Sequence, residues 1–323
     1  MIPTPESLRA NRRASAAVAL LLAAAVAAGG WFLSPNEWVF LLVLAGAASA
    51  ALLLYRLGTR RGRRRLAVLA RPLPEEWHRI LHDRVAFYAA LSDEEQERFG
   101  SLVAIFLDET PITAAGCEVD DVCRLLVAAG AVIPIFGFPA WEYGMLREVI
   151  VRGEDFDFRF PGMLTEMEAI QGLVGDTGGA FNGAMVLSRA DLIRGFQRHA
   201  GKHNVGIHEF AHLIDKADGA VDGVPATLPR ECLRPWMLLV REELRRAGDG
   251  GSDIPEYAFT NEQEFFAVAT EYFFGAPEEL AAKHPELYDM LERVFRQNTR
   301  RRLRGLVRQI TRPRRHRKPG RGA

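Results

Sequence analysis

Two uncharged apolar runs near the start of the chain constrain its folding more than anything that follows. Ala14–Leu33 is twenty residues without a charge, and Val39–Tyr55 is seventeen. At about 1.5 Å rise per helical residue, each run matches a hydrocarbon core of roughly 30 Å. Neither run carries a polar face that would keep a helix at a water interface. Ser34-Pro35-Asn36-Glu37 breaks the chain between them, and Trp31 and Trp38 flank the break as interfacial aromatics do. The pattern predicts a helical hairpin that crosses a bilayer twice. A cleaved signal peptide could also open with Arg12-Arg13 and an Ala-rich stretch. Here, however, a second apolar run and a dense basic cluster follow at once.

Charge sets the expected orientation. Arg9, Arg12 and Arg13 precede the first run, while Arg56, Arg60, Arg61, Arg63, Arg64 and Arg65 follow the second. The connecting loop has no Lys or Arg, so both ends belong on the cytoplasmic side, and the rest of the chain with them. The formal net charge of zero hides an uneven distribution. Residues 1–73 carry ten bases and two acids, and residues 300–323 carry eleven bases and no acid. Of the 41 bases and 41 acids in the chain, 20 and 39 therefore fall in residues 74–299. Three parts are expected: a membrane hairpin with basic flanks over 1–73, an acidic folded domain over 74–299, and a disordered basic tail over 300–323. The tail has no aromatic ring except His316 to stack on a base, which argues against nucleic acid. Attraction to anionic lipid, or simple solvation, suits it better. Cys117, Cys123 and Cys232 are too few and too scattered for a disulfide framework, and they read as reduced thiols.

Within the acidic domain, His208-Glu209-Phe210-Ala211-His212 carries chemistry. On a helix, histidines at i and i+4 lie on one face, one turn apart, and can reach a single zinc ion. The Glu that follows the first His is placed to take a proton from a water at that ion. Asn204 is the expected N-cap, with Val205, Ile207, Phe210, Ala211 and Ile214 as the apolar positions. Two core histidines and a surface glutamate would be the bland alternative.

A catalytic zinc needs a third protein ligand and an open position. Thr260 to Gly275 reads as a capped, nearly all-apolar helix, with Glu264, Val268 and Glu271 on one stripe. A carboxylate buried there is costly unless it is paired or binds metal, which favours Glu264 or Glu271 as the ligand. Glu264 could instead complete a capping box with Asn261, and Glu271 could orient a zinc histidine from behind. Asp215 sits one turn past His212, too close along the same helix to close a good tetrahedron, and is assigned a supporting place.

Elsewhere the patterns predict a helix from Trp77 to Leu91 and a second from Ser92 through Leu107. A third runs from Val119 to Ala129 with Gly130 as its stop, and another from Trp236 to Arg246. Short extended segments are expected at Arg147–Val151, Phe156–Phe160 and Ala184–Leu187. The last could present a free edge to an extended peptide, or be paired on both sides. The glycines of 172–183 form no phosphate cradle, and the acids of 215–222 lack EF-hand spacing.

His208 to Asp215, Gly223-Val224-Pro225, Tyr257-Ala258 and Glu264 to Phe274 together resemble the Mlc titration factor A family of zinc peptidases. Weaker similarity reaches back to Pro74, through Leu91-Ser92 with Glu95-Gln96 and Gly116 to Asp120, so the likeness spans roughly residues 74–300. That family is similar in its catalytic core to anthrax lethal factor, a gluzincin. The resemblance implies an α+β, mostly helical, zincin-like metallopeptidase domain, here preceded by the transmembrane hairpin. It implies one Zn2+ per chain held by His208, His212 and Glu264, with Glu209 as general base and Tyr257 as an oxyanion donor. Glu271 and Asp215 remain supporting or alternative ligands. It also implies a peptide or protein substrate and a bacterial setting, which places the hairpin in the inner membrane. The family's founding member binds a transcriptional repressor, so a regulatory protein partner is the alternative function. The hairpin and the basic tail have no counterpart in that member.

Overall fold

The computed structural model describes residues 2–3, 5–33, 36–153, 183–197, 201–220, 222–248 and 252–304. The chain divides into two compact units, Met1–Pro72 and Leu73–Ala323.

The first unit is a pair of long helices, α1 (Pro5–Leu33) and α2 (Glu37–Leu69). Both are long and apolar enough to cross a membrane. Asn36 caps α2, its side chain accepting from the Val39 amide at 3.0 Å. The helices pack antiparallel along their length. Trp31 meets Phe40 edge-on near the turn, and Asn11 donates to the Gly58 carbonyl at the other end. Leucines such as Leu20, Leu21 and Leu42 point outward rather than into a core. Both helices run on past their apolar stretches, and the added turns carry all nine flanking arginines.

The second unit is mostly helical around a small parallel sheet. Helices α3 (Glu75–Arg84) and α4 (Ala86–Ala89) replace the single helix expected over Trp77–Leu91. The break is at Val85, whose extended backbone turns its buried side chain into the core. Helix α5 (Asp93–Glu109) starts at Ser92 in a reciprocal capping box with Glu95, as the pattern predicts.

Strand β1 (Ile112–Ala115), which the sequence did not announce, leads into α6 (Asp121–Ile135). Strands β2 (Glu148–Arg152) and β3 (Ala184–Ser188) complete a sheet of order β1-β2-β3. Ile112 pairs with Val149, and Val149 with Met185. Among the described residues β3 is an edge strand. The extended segment expected at Phe156–Phe160 lies outside the described residues.

Six further helices are described: α7 (Arg189–Gly195), α8 (Val205–Asp215), α9 (Leu233–Gly248), α10 (Glu262–Gly275) and the pair α11 (Pro277–Lys283) and α12 (Pro285–Phe295). The α11–α12 pair was not anticipated either. Its buried Leu280, Leu287, Leu291 and Phe295 close the core from below α10.

Gly130 does not stop α6, which continues to Ile135. It lies where α6 crosses the start of α8, and a Cβ there would sit 3.0 Å from the Gly206 carbonyl carbon. The glycine allows two backbones to approach closely, and α6 is buried nearly all round as a result. Phe210 of α8 lies at the centre of this packing against Phe106 and Tyr143. Burying a ring of that size contributes about 1.5–3 kcal/mol.

Candidate metal centre

Helix α8 begins where expected. The Asn204 side chain accepts from the Ile207 amide at 3.0 Å. The same side chain donates to the Gly195 carbonyl at 2.9 Å, tying the cap to the end of α7. His208 and His212 then face one pocket, with their Nε2 atoms 3.2 Å apart. Both rings are almost wholly buried, as is Glu209 between them.

Helix α10 brings in the acid. Asn261 caps it by accepting from the Glu264 amide at 2.9 Å. The Glu264 side chain does not turn back to complete a capping box. Its Oε2 lies 3.3 Å from His208 Nε2 and its Oε1 3.3 Å from His212 Nε2. Glu264 is fully buried, and neither oxygen receives a hydrogen bond. His208, His212 and Glu264 form the one group among the described residues whose donor atoms converge closely enough to share an ion. A tetrahedral zinc with bonds of about 2.0–2.1 Å separates its ligand atoms by about 3.3–3.4 Å. The observed separations of 3.2 and 3.3 Å fit that size. Two imidazole nitrogens and a buried carboxylate converging on one point form the donor set a cation site requires.

Glu271, one of the two acids considered for the third ligand, is placed differently. Its Oε1 lies 2.7 Å from His208 Nδ1, and its Oε2 accepts from the Asn204 amide at 2.5 Å. An ionised carboxylate can only accept, so Nδ1 carries the proton and the Nε2 lone pair is turned into the pocket. Asp215 stands outside the group of three. Its Oδ2 accepts from the Gly223 amide at 3.1 Å, fixing the loop after α8. Gly223 has φ +73°, and a Cβ there would strike the Glu262 carbonyl at 2.4 Å. The loop thus presses on the start of α10, which carries Glu264. Tyr257, on a 3-10 turn at Glu256–Phe259, lays its ring nearly parallel to the His208 imidazole, 6.3 Å between centroids. It is part-exposed, unlike the acids and histidines.

The pocket's charge is negative. Burial works to lower the His208 pKa, but the Glu271 and Glu264 carboxylates hold it well above the ordinary range. Burial lowers His212, and Glu264 only partly offsets this. Burial also works against ionised Glu264, yet the two imidazoles bring it down to about 2. Burial pushes Asp215 up to about 7, with Asp222 and Asp218 adding to the effect.

Spacing gave no hint of a second cluster behind the pocket. Asp253 accepts from Tyr272 Oη and His284 Nε2 at 2.8 Å and from Lys283 Nζ at 2.9 Å, and it also takes Lys202. His284 Nδ1 meets the buried Glu243 at 2.9 Å. These residues come from five separate segments, so no local pattern in the sequence could have joined them.

A mostly helical domain that sets an H-E-x-x-H helix against a later glutamate helix, with a converging two-histidine, one-carboxylate pocket, is built as a metallopeptidase. The chain belongs to the family described as glucose-regulated metallo-peptidase M90, which matches residues 59–296. Similar proteins include uncharacterised protein slr2042 of Synechocystis sp., 31% identical over 70% of this chain and 85% of its own. Mlc titration factor A of Cronobacter sakazakii is 29% identical over 72% of this chain and 89% of its own length. The same factor from Escherichia fergusonii is 31% identical over 67% and 84%.

Proposed function

We propose that the protein is a membrane-anchored, zinc-dependent peptidase of the gluzincin type, with its catalytic domain (74–299) on the cytoplasmic side of the bacterial inner membrane. The convergence of His208 Nε2, His212 Nε2 and Glu264 on one point carries this reading. These three residues would hold the zinc and leave its remaining position open. When bound, zinc supplies a Lewis acid that brings the pKa of a water down towards about 7.

The chain's own residues do the rest. Glu209 takes the proton from the attacking water and returns it to the leaving amine. The Tyr257 hydroxyl donates to the carbonyl oxygen as it gains charge. Glu271 holds His208 in the productive tautomer. The β3 edge offers backbone groups to an extended peptide. The decisive variant is Glu209→Gln. It should keep one zinc per chain by metal analysis while hydrolysis of peptide anilides falls by at least about a hundredfold. Undiminished, chelator-sensitive hydrolysis in that variant would sink the assignment of the base.

The anchor rests on α1 and α2, and the orientation on the arginines at their outer ends. A second reading comes from the name of the relatives, which describes titration of Mlc. On that reading the domain sequesters a regulatory protein. Binding of a partner by a protein that never hydrolyses any peptide would favour it.

A further inference from the structure

The outer face of α9 is unlike the rest of the domain's surface. Among the described residues after Pro72, only five large apolar side chains are open to solvent over more than about a third of their surface: Met145, Leu233, Met237, Leu238 and Tyr257. Three of the five lie on this one helix. The buried face of α9 is made by Trp236, Leu239, Val240 and Glu243. On the opposite face, Leu233, Met237 and Arg241 follow one another at four-residue steps, with Arg234 and Leu238 beside them. Arg230 precedes them on the lead-in turn. Arg230, Arg234 and Arg241 are exposed, and among the described residues they make no ion pair. Glu242, by contrast, is taken by Arg245 and Arg246, and Glu231 is the one other exposed acid on the segment.

From this face we infer a second membrane contact: α9 lies against an anionic phospholipid surface, Leu233, Met237 and Leu238 entering the headgroup boundary and Arg230, Arg234 and Arg241 meeting lipid phosphates. Leucine and methionine interleaved with unpaired arginine is the composition of an interfacial helix. It suits a protein partner less well. The patch has no exposed aromatic anchor, and one helix face is far smaller than the roughly 800 Å² a stable partner covers. The inference rests on the bilayer anchor proposed above. Only Ala70–Pro74 join α2 to α3, so the tethered domain sees lipid at an effective concentration of order millimolar, and weak surface binding suffices.

Helix α9 is also fastened to the pocket. Trp236 Nε1 donates to the Gly223 carbonyl at 2.8 Å, in the same loop that Asp215 holds. Docking of α9 would therefore fix the cleft relative to the lipid surface. The matching substrates are polypeptide segments lying on or leaving the membrane.

The test uses the full chain in phosphatidylcholine nanodiscs with and without phosphatidylglycerol. An environment-sensitive label is placed at Met237→Cys in a Cys117→Ser background, because Cys123 and Cys232 are buried. Glu286→Cys, exposed on α12, is the control. Shallow doxyl-labelled lipid should quench the label at 237 roughly twofold more in the anionic discs than in the neutral ones, an excess that high salt removes. The triple variant Arg230→Glu, Arg234→Glu, Arg241→Glu should remove it too. Equal quenching at 237 and 286, or none at either, overturns the inference. So does label self-quenching without doxyl lipid, which would identify a second copy as the occupant. A chain that never enters the discs overturns the anchor itself and this contact with it, whereas one that enters with 237 unquenched overturns the contact alone.

Discussion

Glu271 shows how much one side chain that touches no ion can decide. It fixes the His208 tautomer through Nδ1 and holds the Asn204 amide with its other oxygen. Glu271→Ala should therefore weaken zinc binding by about 10–100-fold, read by chelator competition, without abolishing it. Glu264→Ala, which removes the proposed third ligand, should lose stoichiometric zinc altogether. Asp215 gives a pH signature. Burial raises its folded pKa to about 7, above the roughly 3.9 of an unfolded Asp. Between those values the folded state binds the proton more tightly than the unfolded chain does, so stability falls as pH rises through this window. Asp215→Asn should flatten that part of the melting-temperature profile against pH while leaving the more acidic part alone. The amide can still accept from Gly223, so the loop keeps its bond.

At the level of elements, the α6–α8 crossing is the contact on which the histidine helix depends. A methyl at Gly130 meets the Gly206 backbone, which has no flexible end to move aside. Gly130→Ala should cost about 1–3 kcal/mol in denaturant unfolding. It should also lower zinc affinity, since α8 must shift to make room. The sequence made legible those elements whose ends are set by local bonds. Ser92, Asn204 and Asn261 each cap a helix through a side chain three residues from its target, and all three were expected. Elements set by distant contacts were missed or misread. Gly130 reads as a stop in one dimension and is a crossing point in three. Four residues of β1 show no periodicity of their own and become a strand only by pairing with β2. Between Glu264 and Glu271 the sequence could not choose, because both share the buried stripe of α10. What separates them is that one faces two Nε2 atoms and the other a single Nδ1.

For the whole molecule, the arrangement of charge is the organising fact. Nine arginines gather at one end of the helical pair, and none lies in the turn between the helices. If that turn faces the periplasm, Ser34→Cys in intact cells should react with a membrane-impermeant maleimide, while Cys117, the one native thiol that is not buried, stays protected until the membrane is opened. Labelling only after lysis would reverse the proposed topology. The family match covers residues 59–296, so the two apolar runs lie outside it. Within the family domain, one carboxylate grips both the amide of the residue that caps the histidine helix and the ring one turn on. Fraying of that first turn would then free the His208 ring in the same event. The exchange rate of the Asn204 amide proton becomes a direct gauge of how often the pocket lets go.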